Sequence, residues 1–331
     1  MMRHTATAWA AALLFLSACA LILGCAIGSQ GWEWPLVPGG DPVALQILLD
    51  IRLPRNLGAW VGGALLGLSG AVAQGLFRNP LADPFLLGSS AGASLGVSLY
   101  LSVWGGTLSS LALGSRLGLN GAAFVGAMLA VGLTLTLSRG MQQTLRLLLS
   151  GVVVGVVLSA LSALVAMFDP RMWQTLQAFM FGSAAMLDVS ACFMMAVVLL
   201  LCLLAALGWA RVLDALNLGE DTARSLGMPL TWARWGLVLV LSVATGTAVA
   251  QMGLVAFIGL AAPHAIRSSV RCTHAGLLLL SALMGGLLLL LSDILARWVL
   301  SPEELPVGVL TSLLGGGYLL WRMRQLEGTG A

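Results

Sequence analysis

The sequence contains no lysine, and charged residues of every kind are scarce. All sixteen basic residues among its 331 are arginines, thirteen residues are acidic, and charged residues make up only 9% of the chain, against 59% hydrophobic residues. Soluble globular proteins carry about 25% charged residues, and a soluble fold of this length could not bury so much apolar surface. The composition therefore excludes a soluble protein and predicts an integral membrane protein.

The absence of lysine also excludes one kind of chemistry. A phosphate-binding P-loop needs its lysine to reach the phosphates of the nucleotide, so this chain cannot hydrolyse ATP by that route. If ATP drives transport, a separate ATPase subunit must bind the ATP and Mg²⁺. We expect that the chain binds no cofactor. We also expect that it is not an enzyme, because its Ser, His and Asp residues are not grouped and no HExxH motif occurs.

Cysteine and histidine are too few and too scattered to predict a metal site. The five cysteines are an odd number without a CxxC pair, so neither a disulfide framework nor a zinc site is indicated. Of the histidines, His264 lies where a helix is predicted to end, a position that the helix dipole favours. We expect no metal ligation.

Apolar runs of about 20 residues, the length that crosses a bilayer, recur along the chain. Ten transmembrane helices are predicted, near residues 8–28, 55–76, 84–103, 119–138, 145–168, 188–209, 232–250, 253–268, 275–299 and 306–322. The run 174–186 is too short to cross and predicts a re-entrant or interfacial helix. We expect an all-α fold in which residues 1–331 form one polytopic transmembrane domain.

The even number of spans places both termini on one side, and the arginines indicate which side. With the N-terminus in the cytoplasm, eleven arginines are cytoplasmic and five are outside, as the positive-inside rule requires. We therefore predict a multi-pass protein with both termini in the cytoplasm.

Glycine follows a pattern at the start of the third predicted span. The segment RNPLADP (78–84) contains two prolines that end the second span, and Gly88, Gly92 and Gly96 follow it at four-residue spacing. A simple turn explains the prolines, but small residues at every fourth position favour a close helix crossing. The segments SGAVAQGL (69–76) and TGTAVAQMGL (245–254) are also similar and run in opposite directions, which indicates either an inverted repeat or a chance match.

Four segments together resemble a known family, the permeases of bacterial ABC importers for ferric siderophores, haem and vitamin B12. They are RLPR (52–55), GALLGLSGAVAQGLFRNPLADPFLLGSSAGASLG (63–96), GLVAFIGLAAPHAIR (253–267) and SDILARWVLSPEELPVGVLTSLLGG (292–316). The resemblance implies the type II importer fold, with ten helices, in the bacterial inner membrane. It implies as partners a second copy of the chain, two ATPase subunits, a periplasmic substrate-binding protein and the lipid bilayer, and no nucleic acid.

The resemblance implies a docking role for Arg52, Arg55 and Arg297 on the periplasmic side. They match family arginines that meet glutamates on the binding protein, and exposed charges of this kind speed docking. The alternatives are that the arginines extend to the lipid headgroups, or that Asp293 and Arg297 pair at i,i+4 spacing.

Two further sets of residues are implied on the cytoplasmic side. Asn79 and Leu81 match positions that narrow the path, and Gln143 and Thr144 match the other gate, where the family often has small hydroxyl residues. Residues 216–235 are predicted to form two short helices, the first starting at Glu220 and broken at Gly227 and Pro229, with a solvated loop as the alternative. The resemblance implies that a segment near 210–231 couples to the ATPase. Its candidate ATPase contacts are Glu220, Ala223, Arg224 and Gly227.

The cargo follows from the resemblance alone. The segment QGLFRNPLADP is nearer to haem and ferric-siderophore members than to vitamin B12 members, which often have an acidic residue in place of Arg78. We therefore expect haem, or a ferric siderophore, with vitamin B12 as the alternative. An ion-gradient-driven transporter is a further alternative, but it needs carboxylates buried within the spans, and the acidic residues here lie near the predicted span ends, Asp293 being the deepest.

Overall fold

A computed structural model describes residues 2–28, 31–32, 42–104, 113–138, 144–168 and 170–328. Apart from a short antiparallel pair of strands, β1 (Ile27–Gly28) and β2 (Gly31–Trp32), the regular structure in these ranges is helical. The α-helices are α1 (Met2–Ala26), α2 (Pro42–Ile47), α3 (Leu53–Phe77), α4 (Ser89–Trp104), α5 (Leu113–Leu137), α6 (Thr144–Ala166), α7 (Pro170–Phe181), α8 (Val189–Gly208), α9 (Ala210–Asn217), α10 (Glu220–Ser225), α11 (Leu230–Met252), α12 (Ile258–Ser269), α13 (His274–Trp298) and α14 (Val307–Gly328).

The all-α prediction is confirmed, and each predicted span corresponds to a helix, but the helices are less uniform than predicted. Seven helical stretches in the described residues are long and apolar enough to cross a bilayer. One of them runs through α2, a π-helical turn (Leu48–Arg52) and α3 without a break. The predicted third span instead begins with a 3₁₀ turn (Pro84–Leu87), and only 16 residues of α4 follow it.

The prediction of an unbroken helix over 253–268 is wrong, although the segment does cross the bundle, from Met252 beside Gly62 to His274 beside Gly75. Gly253 ends α11 with φ of +73°, Phe257 has φ of +69°, and α12 starts only at Ile258. The 12 residues of α12 reach about 18 Å at 1.5 Å per residue, whereas the hydrocarbon layer is about 30 Å thick. This helix therefore cannot cross the membrane alone.

The short helix α7 binds the backbone where α11 stops. The carbonyl of Phe179 accepts a hydrogen bond of 3.0 Å from the amide of Leu254, and the amide of Ser183 donates one of 2.7 Å to the carbonyl of Met252. Irregular backbone at membrane depth is tolerated only where protein or an aqueous cavity satisfies its polar groups. The predicted short helix near 174–186 is thus confirmed as α7, and its C-terminal end satisfies the break between α11 and α12.

The glycine stripe predicted in the third span makes a close helix crossing. A Cβ at Gly92 would clash with the carbonyl of Gly126 in α5, and one at Gly96 would clash with the carbonyl of Ala122. Gly88 is not part of this crossing. It ends the 3₁₀ turn with φ of +79° and faces the carbonyl of Gly151 in α6.

Helix α3 lies at the centre of the bundle and packs on α13 through glycines. A Cβ at Gly63 would clash with the carbonyl of Gly285, and one at Gly67 would clash with the carbonyl of Ser281. With no side chain between them, the two backbones approach each other directly over more than one turn. The α3–α13 pair is therefore one of the close helix crossings in the described core.

Helices α3 and α11 run in opposite directions, as the inverted-repeat interpretation predicts. Met252, at the end of α11, contacts Gly62 near the start of α3. At the opposite end, Arg78 after α3 and Arg234 near the start of α11 both contact Glu220. We call the two ends of the bundle the Arg297 end and the Arg78 end.

The start of α1 and the end of α14 lie at the Arg78 end. Gly24, near the end of α1, lies against Asn56 at the Arg297 end, so α1 runs antiparallel to α3. Tyr318 of α14 makes an edge contact with His264, with ring centroids 5.8 Å apart, close to the end of α12. An even number of crossings places the two ends of the described chain in this way.

The glycine contacts predict a selective effect of adding one methyl group. We expect Gly67→Ala to lower the free energy of unfolding by about 1–3 kcal/mol, because overpacking forces α3 away from α13. The control is Gly132→Ala in α5, where a Cβ would meet nothing within 4 Å and the gain in helix propensity is about 0.5–1 kcal/mol. Thermal unfolding in detergent, followed by circular dichroism, measures both; equal stability of the two variants would contradict the close crossing.

Candidate functional site

A buried ion cluster joins α3 and α13 at the Arg297 end. Nε and Nη2 of Arg55 lie 3.1 and 3.0 Å from carboxylate oxygens of Asp293, and Nη2 of Arg297 lies 3.1 Å from the same carboxylate. Asp293 and Arg297 are each only 1% exposed. One carboxylate thus holds two guanidinium groups away from solvent.

The remaining donors of the cluster reach α1 and the loop after α13. Arg297 donates hydrogen bonds of 2.7 Å to Oδ1 of Asn56 and 3.1 Å to the carbonyl of Ile27. Arg55 donates through Nη1 to both carboxylate oxygens of Glu304, at 3.0 and 2.8 Å. We call Arg55, Asn56, Asp293, Arg297 and Glu304 the ion cluster; it fastens the ends of three helices to one another.

The expectation that Arg55 and Arg297 present exposed charges is wrong in this structure. Both are buried, and the i,i+4 pair of Asp293 and Arg297, the alternative interpretation, is present. Buried charges are stable only when they are paired and hydrogen-bonded, and the cluster supplies those partners from within the chain. Arg52 differs, since its side chain stays partly exposed while Nη1 donates 3.2 Å to the carbonyl of Cys25.

Polar side chains fix the turn between α3 and α4 at the Arg78 end. Arg78 ends α3 in a left-handed conformation, with φ of +49°. Oδ1 of Asn79 accepts 2.9 Å from the amide of Leu81, and Oδ1 of Asp83 accepts 2.8 Å from the amide of Phe85. Burial raises the pKa of the Asp83 carboxyl to about 6, while the bond from Phe85 opposes that rise. The turn leaves the Leu81 side chain 55% exposed.

One predicted gate segment is followed by a turn that packs on the helix that begins at the other, although the gating role of both stays a prediction. Thr144 is the first residue of α6, and Gln143 lies outside the described residues. The 3₁₀ turn that follows RNPLADP packs on α6, where a Cβ at Gly151 would lie 3.0 Å from Cα of Leu87. Movement of α6 would therefore displace the 3₁₀ turn and, with it, the preceding residues Asn79 and Leu81.

The short helix predicted to start at Glu220 and to break at Gly227 and Pro229 is present as α10, but the second helix after the break is the start of the long α11, and the short α9 precedes α10 instead. Gly219, between them, has φ of +107°, and Gly227, after α10, has φ of +72°. These left-handed conformations favour glycine because it has no Cβ. Val212, Leu213 and Leu216 bury the apolar side of α9 against the bundle. We call residues 210–229 the α9–α10 projection.

Glu220 connects this projection to two membrane helices. Its carboxylate contacts Arg234 of α11 and lies 3.8 Å from Arg78, at the end of α3, and 3.7 Å from Arg224, within α10. Exposed single ion pairs contribute little, but networks of several charges hold geometry better. Glu220 is therefore a connecting residue within the chain.

The other predicted ATPase contacts divide by exposure. Arg224 and Gly227 are exposed. Ala223 is fully buried, so the interpretation of Ala223 as a surface contact is wrong; its methyl group faces the core because α10 is folded back onto the bundle.

Two exposed leucines were missed by the sequence interpretation. Leu218 is 67% exposed and Leu226 is 58% exposed, one before and one after α10. Their position on both sides of the polar run GEDTARS is the signal that could have identified them. Exposed apolar groups at the tip of a polar segment favour contact with another protein.

No group of three histidine, cysteine or acidic side chains in the described ranges is arranged to hold a metal ion. His264 packs against Tyr318, and Nδ1 of His274 lies 2.7 Å from Oδ1 of Asp214.

Comparison with known proteins places these features in a family. A profile of the FecCD transport family matches residues 11–325. The chain is 40% identical to the hemin transport system permease protein HmuU of Yersinia pestis over 285 residues, covering 85% of this chain and 84% of that protein. It is 38% identical to the vitamin B12 import system permease protein BtuC of Escherichia coli O6:H1 over 316 residues, covering 95% and 94%.

Solved structures agree on the fold. An inward-facing conformation of a metal-chelate type ABC transporter superposes with a TM-score of 0.84 at 29% identity, covering 95% of this chain and 98% of that one. PsaBC from Streptococcus pneumoniae, solved in complex with a Fab, superposes with a TM-score of 0.55 at 17% identity, covering 80% and 88%, and shares the fold alone. The fold is that of a type II ABC importer permease.

The ion cluster predicts a large effect of removing one negative charge. We expect Asp293→Asn to destabilise the protein by about 3–5 kcal/mol, because two buried guanidinium groups lose their shared counter-ion. The matched control is Glu303→Gln, an exposed acid on the adjacent loop, which should change stability by less than about 0.5 kcal/mol. Denaturant unfolding in detergent decides, and an Asp293→Asn variant as stable as Glu303→Gln would show that the cluster does not hold the helices.

Proposed function

Because the chain belongs to the FecCD transport family of ABC importer permeases, we propose that it is the permease subunit of an ATP-driven importer for an iron chelate. Haem is the favoured cargo and a ferric siderophore the next, carried from the periplasm to the cytoplasm. The observation that carries the proposal is the α9–α10 projection, which extends the bundle at the Arg78 end and is tied by Glu220 to both α3 and α11.

The projection has the features of a docking element for a separate ATPase subunit. Leu218 and Leu226 offer exposed apolar groups, with Arg224 and Gly227 exposed beside them. Interface cores favour such apolar anchors with an arginine at their edge. In this proposal two ATPase subunits hydrolyse ATP and hold the Mg²⁺, and the permease binds neither.

A force applied to the α9–α10 projection would reach the proposed gate through the contact between Glu220 and Arg78. Glu220 belongs to α10, and its partner Arg78 immediately precedes Asn79 and Leu81. Pulling on α10 therefore displaces Arg78 and the turn that follows it. This turn leads directly into the 3₁₀ turn that packs on α6. Asn79 and Leu81, with Gln143 and Thr144 on the adjoining segment, form the cytoplasmic gate in this proposal, paired with the same residues of a second copy of the chain.

The opposite end is the docking side for a periplasmic substrate-binding protein. Arg52 keeps a partly exposed positive charge there, and Glu304 forms the outer part of the ion cluster. Arg55 and Arg297 contribute by fixing the helix ends around Arg52, and they reach a partner only if the cluster opens. This assignment places the Arg78 end and both termini in the cytoplasm, with the protein in the bacterial inner membrane.

The cargo is the finest part of the proposal. The 40% identity to a hemin permease supports haem, as does the basic residue Arg78. Vitamin B12 is the second candidate, because a vitamin B12 permease is 38% identical over more of the chain. An ion-gradient-driven transporter is disfavoured, since Asp293, which is buried within α13, is already neutralised by two arginines.

Reconstitution tests the function and the cargo together. The chain is placed in nanodiscs with its partner ATPase, and the binding protein is added loaded with haem, ferric siderophore or cobalamin. We expect haem-loaded binding protein to stimulate ATP hydrolysis most. Stimulation by cobalamin alone would reassign the cargo, and uphill uptake by the isolated chain in liposomes, driven by an ion gradient, would refute the importer.

The Glu220 connection predicts a loss of coupling without a loss of assembly. We expect Glu220→Gln to copurify with the ATPase but to lower transport per ATP by roughly tenfold, because charge-assisted bonds to Arg78 and Arg234 are lost. The control is Asp221→Asn, the neighbouring exposed acid, which should keep wild-type coupling. If Glu220→Gln transports as efficiently as Asp221→Asn, force does not pass through Glu220.

A further inference from the structure

A polar cleft of about 470 Å³ opens at the Arg78 end between α9, α12 and α13. Asp214 and Asn217 of α9 line one side, and Arg267 and Arg271 line the other. The volume is within the range of about 300–1,000 Å³ that small-molecule sites occupy. No role proposed above uses this cleft.

Arg267 lacks a counter-ion among the described residues. Its side chain is half-buried, and Nε is buried without a hydrogen-bond partner. None of the ion pairs in the described ranges involves Arg267. Desolvating a guanidinium without compensation is costly, so this arrangement fits a ligand that brings negative charge.

The one carboxylate that lines the cleft is already engaged. Oδ1 of Asp214 accepts 2.9 Å from the amide of His274 and lies 2.7 Å from Nδ1 of the same residue. Asp214 thereby satisfies the first turn of α13 and holds α9 against it. Arg271, which is exposed, adds a second positive charge at the mouth of the cleft.

The position of the cleft indicates where the negative charge comes from. Helix α13 begins at His274, and α3 ends at Phe77. Gly75, in the last turn of α3, packs against the His274 ring. The cleft therefore lies at the level where spans leave the bilayer. Val270 and Leu277 add an apolar side to it. Basic pockets between transmembrane helices at this level suit anionic lipid headgroups.

We propose that the cleft binds the phosphate group of an anionic phospholipid. The planar guanidinium of Arg267 binds two phosphate oxygens, a geometry that arginine provides and a point charge does not. Arg271 supplies the second charge. Because Asp214 and His274 share the cleft, the lipid also braces α9 against α13.

Native mass spectrometry of the purified chain tests the site, with phosphatidylglycerol as the probe and phosphatidylcholine as the zwitterionic comparison. We expect phosphatidylglycerol to bind wild-type protein at least about tenfold more tightly than it binds Arg267→Gln, the loss expected for a charge-assisted bidentate pair. Arg267→Lys should lie between them. The control is Arg146→Gln, which removes an exposed charge at the start of α6 and should bind like wild type.

The remaining arms separate this ligand from others. Millimolar inorganic phosphate should leave lipid binding unchanged; displacement of the lipid would assign the site to free phosphate instead. Equal affinity of Arg267→Gln and wild type, or of the two lipids, overturns the proposal. If Arg267→Gln weakens ATPase binding while lipid binding stays the same, the cleft holds an acidic side chain of the ATPase. Thermal unfolding verifies that each variant folds. If Arg267→Gln does not fold, the affinity of Arg267→Lys for phosphatidylglycerol, compared with that of wild type, decides the proposal.

Discussion

The structure depends on one constraint: inside hydrocarbon, every backbone polar group and every charge must find its partner within the protein. The break between α11 and α12 is possible because the C-terminal end of α7 supplies its hydrogen bonds. The arginines at the Arg297 end are possible because Asp293 and Glu304 accept their bonds. Both sets of contacts join segments that are far apart in the chain. The interactions that satisfy the polar groups therefore also hold the helix bundle together.

Composition and hydropathy were sufficient to predict the helices, since apolar length and small-residue spacing are local properties. The crossing at Gly92 and Gly96 was predicted from four-residue spacing and is present. The helix predicted over 253–268 is interrupted up to Ile258, and the prediction missed this because an apolar irregular segment and an apolar helix have the same hydropathy. Only the positive φ values of Gly253 and Phe257 distinguish them, and nothing in their composition requires these values.

The positions of the candidate site residues could be predicted from the sequence, but their interaction partners could not. Sequence placed Arg55 and Arg297 at the correct end, yet the acid that neutralises Arg55 is 238 residues away, and no local pattern reports such a pairing. Ala223 was assigned as an ATPase contact from the resemblance of its segment to the family, whereas the contacts of Glu220 fold α10 back onto the bundle and bury Ala223. Exposure is a tertiary property, so it was the structure that showed Leu218 and Leu226 to be exposed.

The distribution of close contacts limits where the bundle can move. Helices α3 and α13 touch backbone to backbone through Gly63 and Gly67, and the ion cluster locks their ends. A pair held in this way moves as one body, because its separation would expose both charges and backbone to lipid. The contacts at the Arg78 end are of another kind, since Glu220 meets its arginines through partly exposed side chains. Such contacts can lengthen and re-form at low cost, so the Arg78 end can rearrange more readily than the ion cluster.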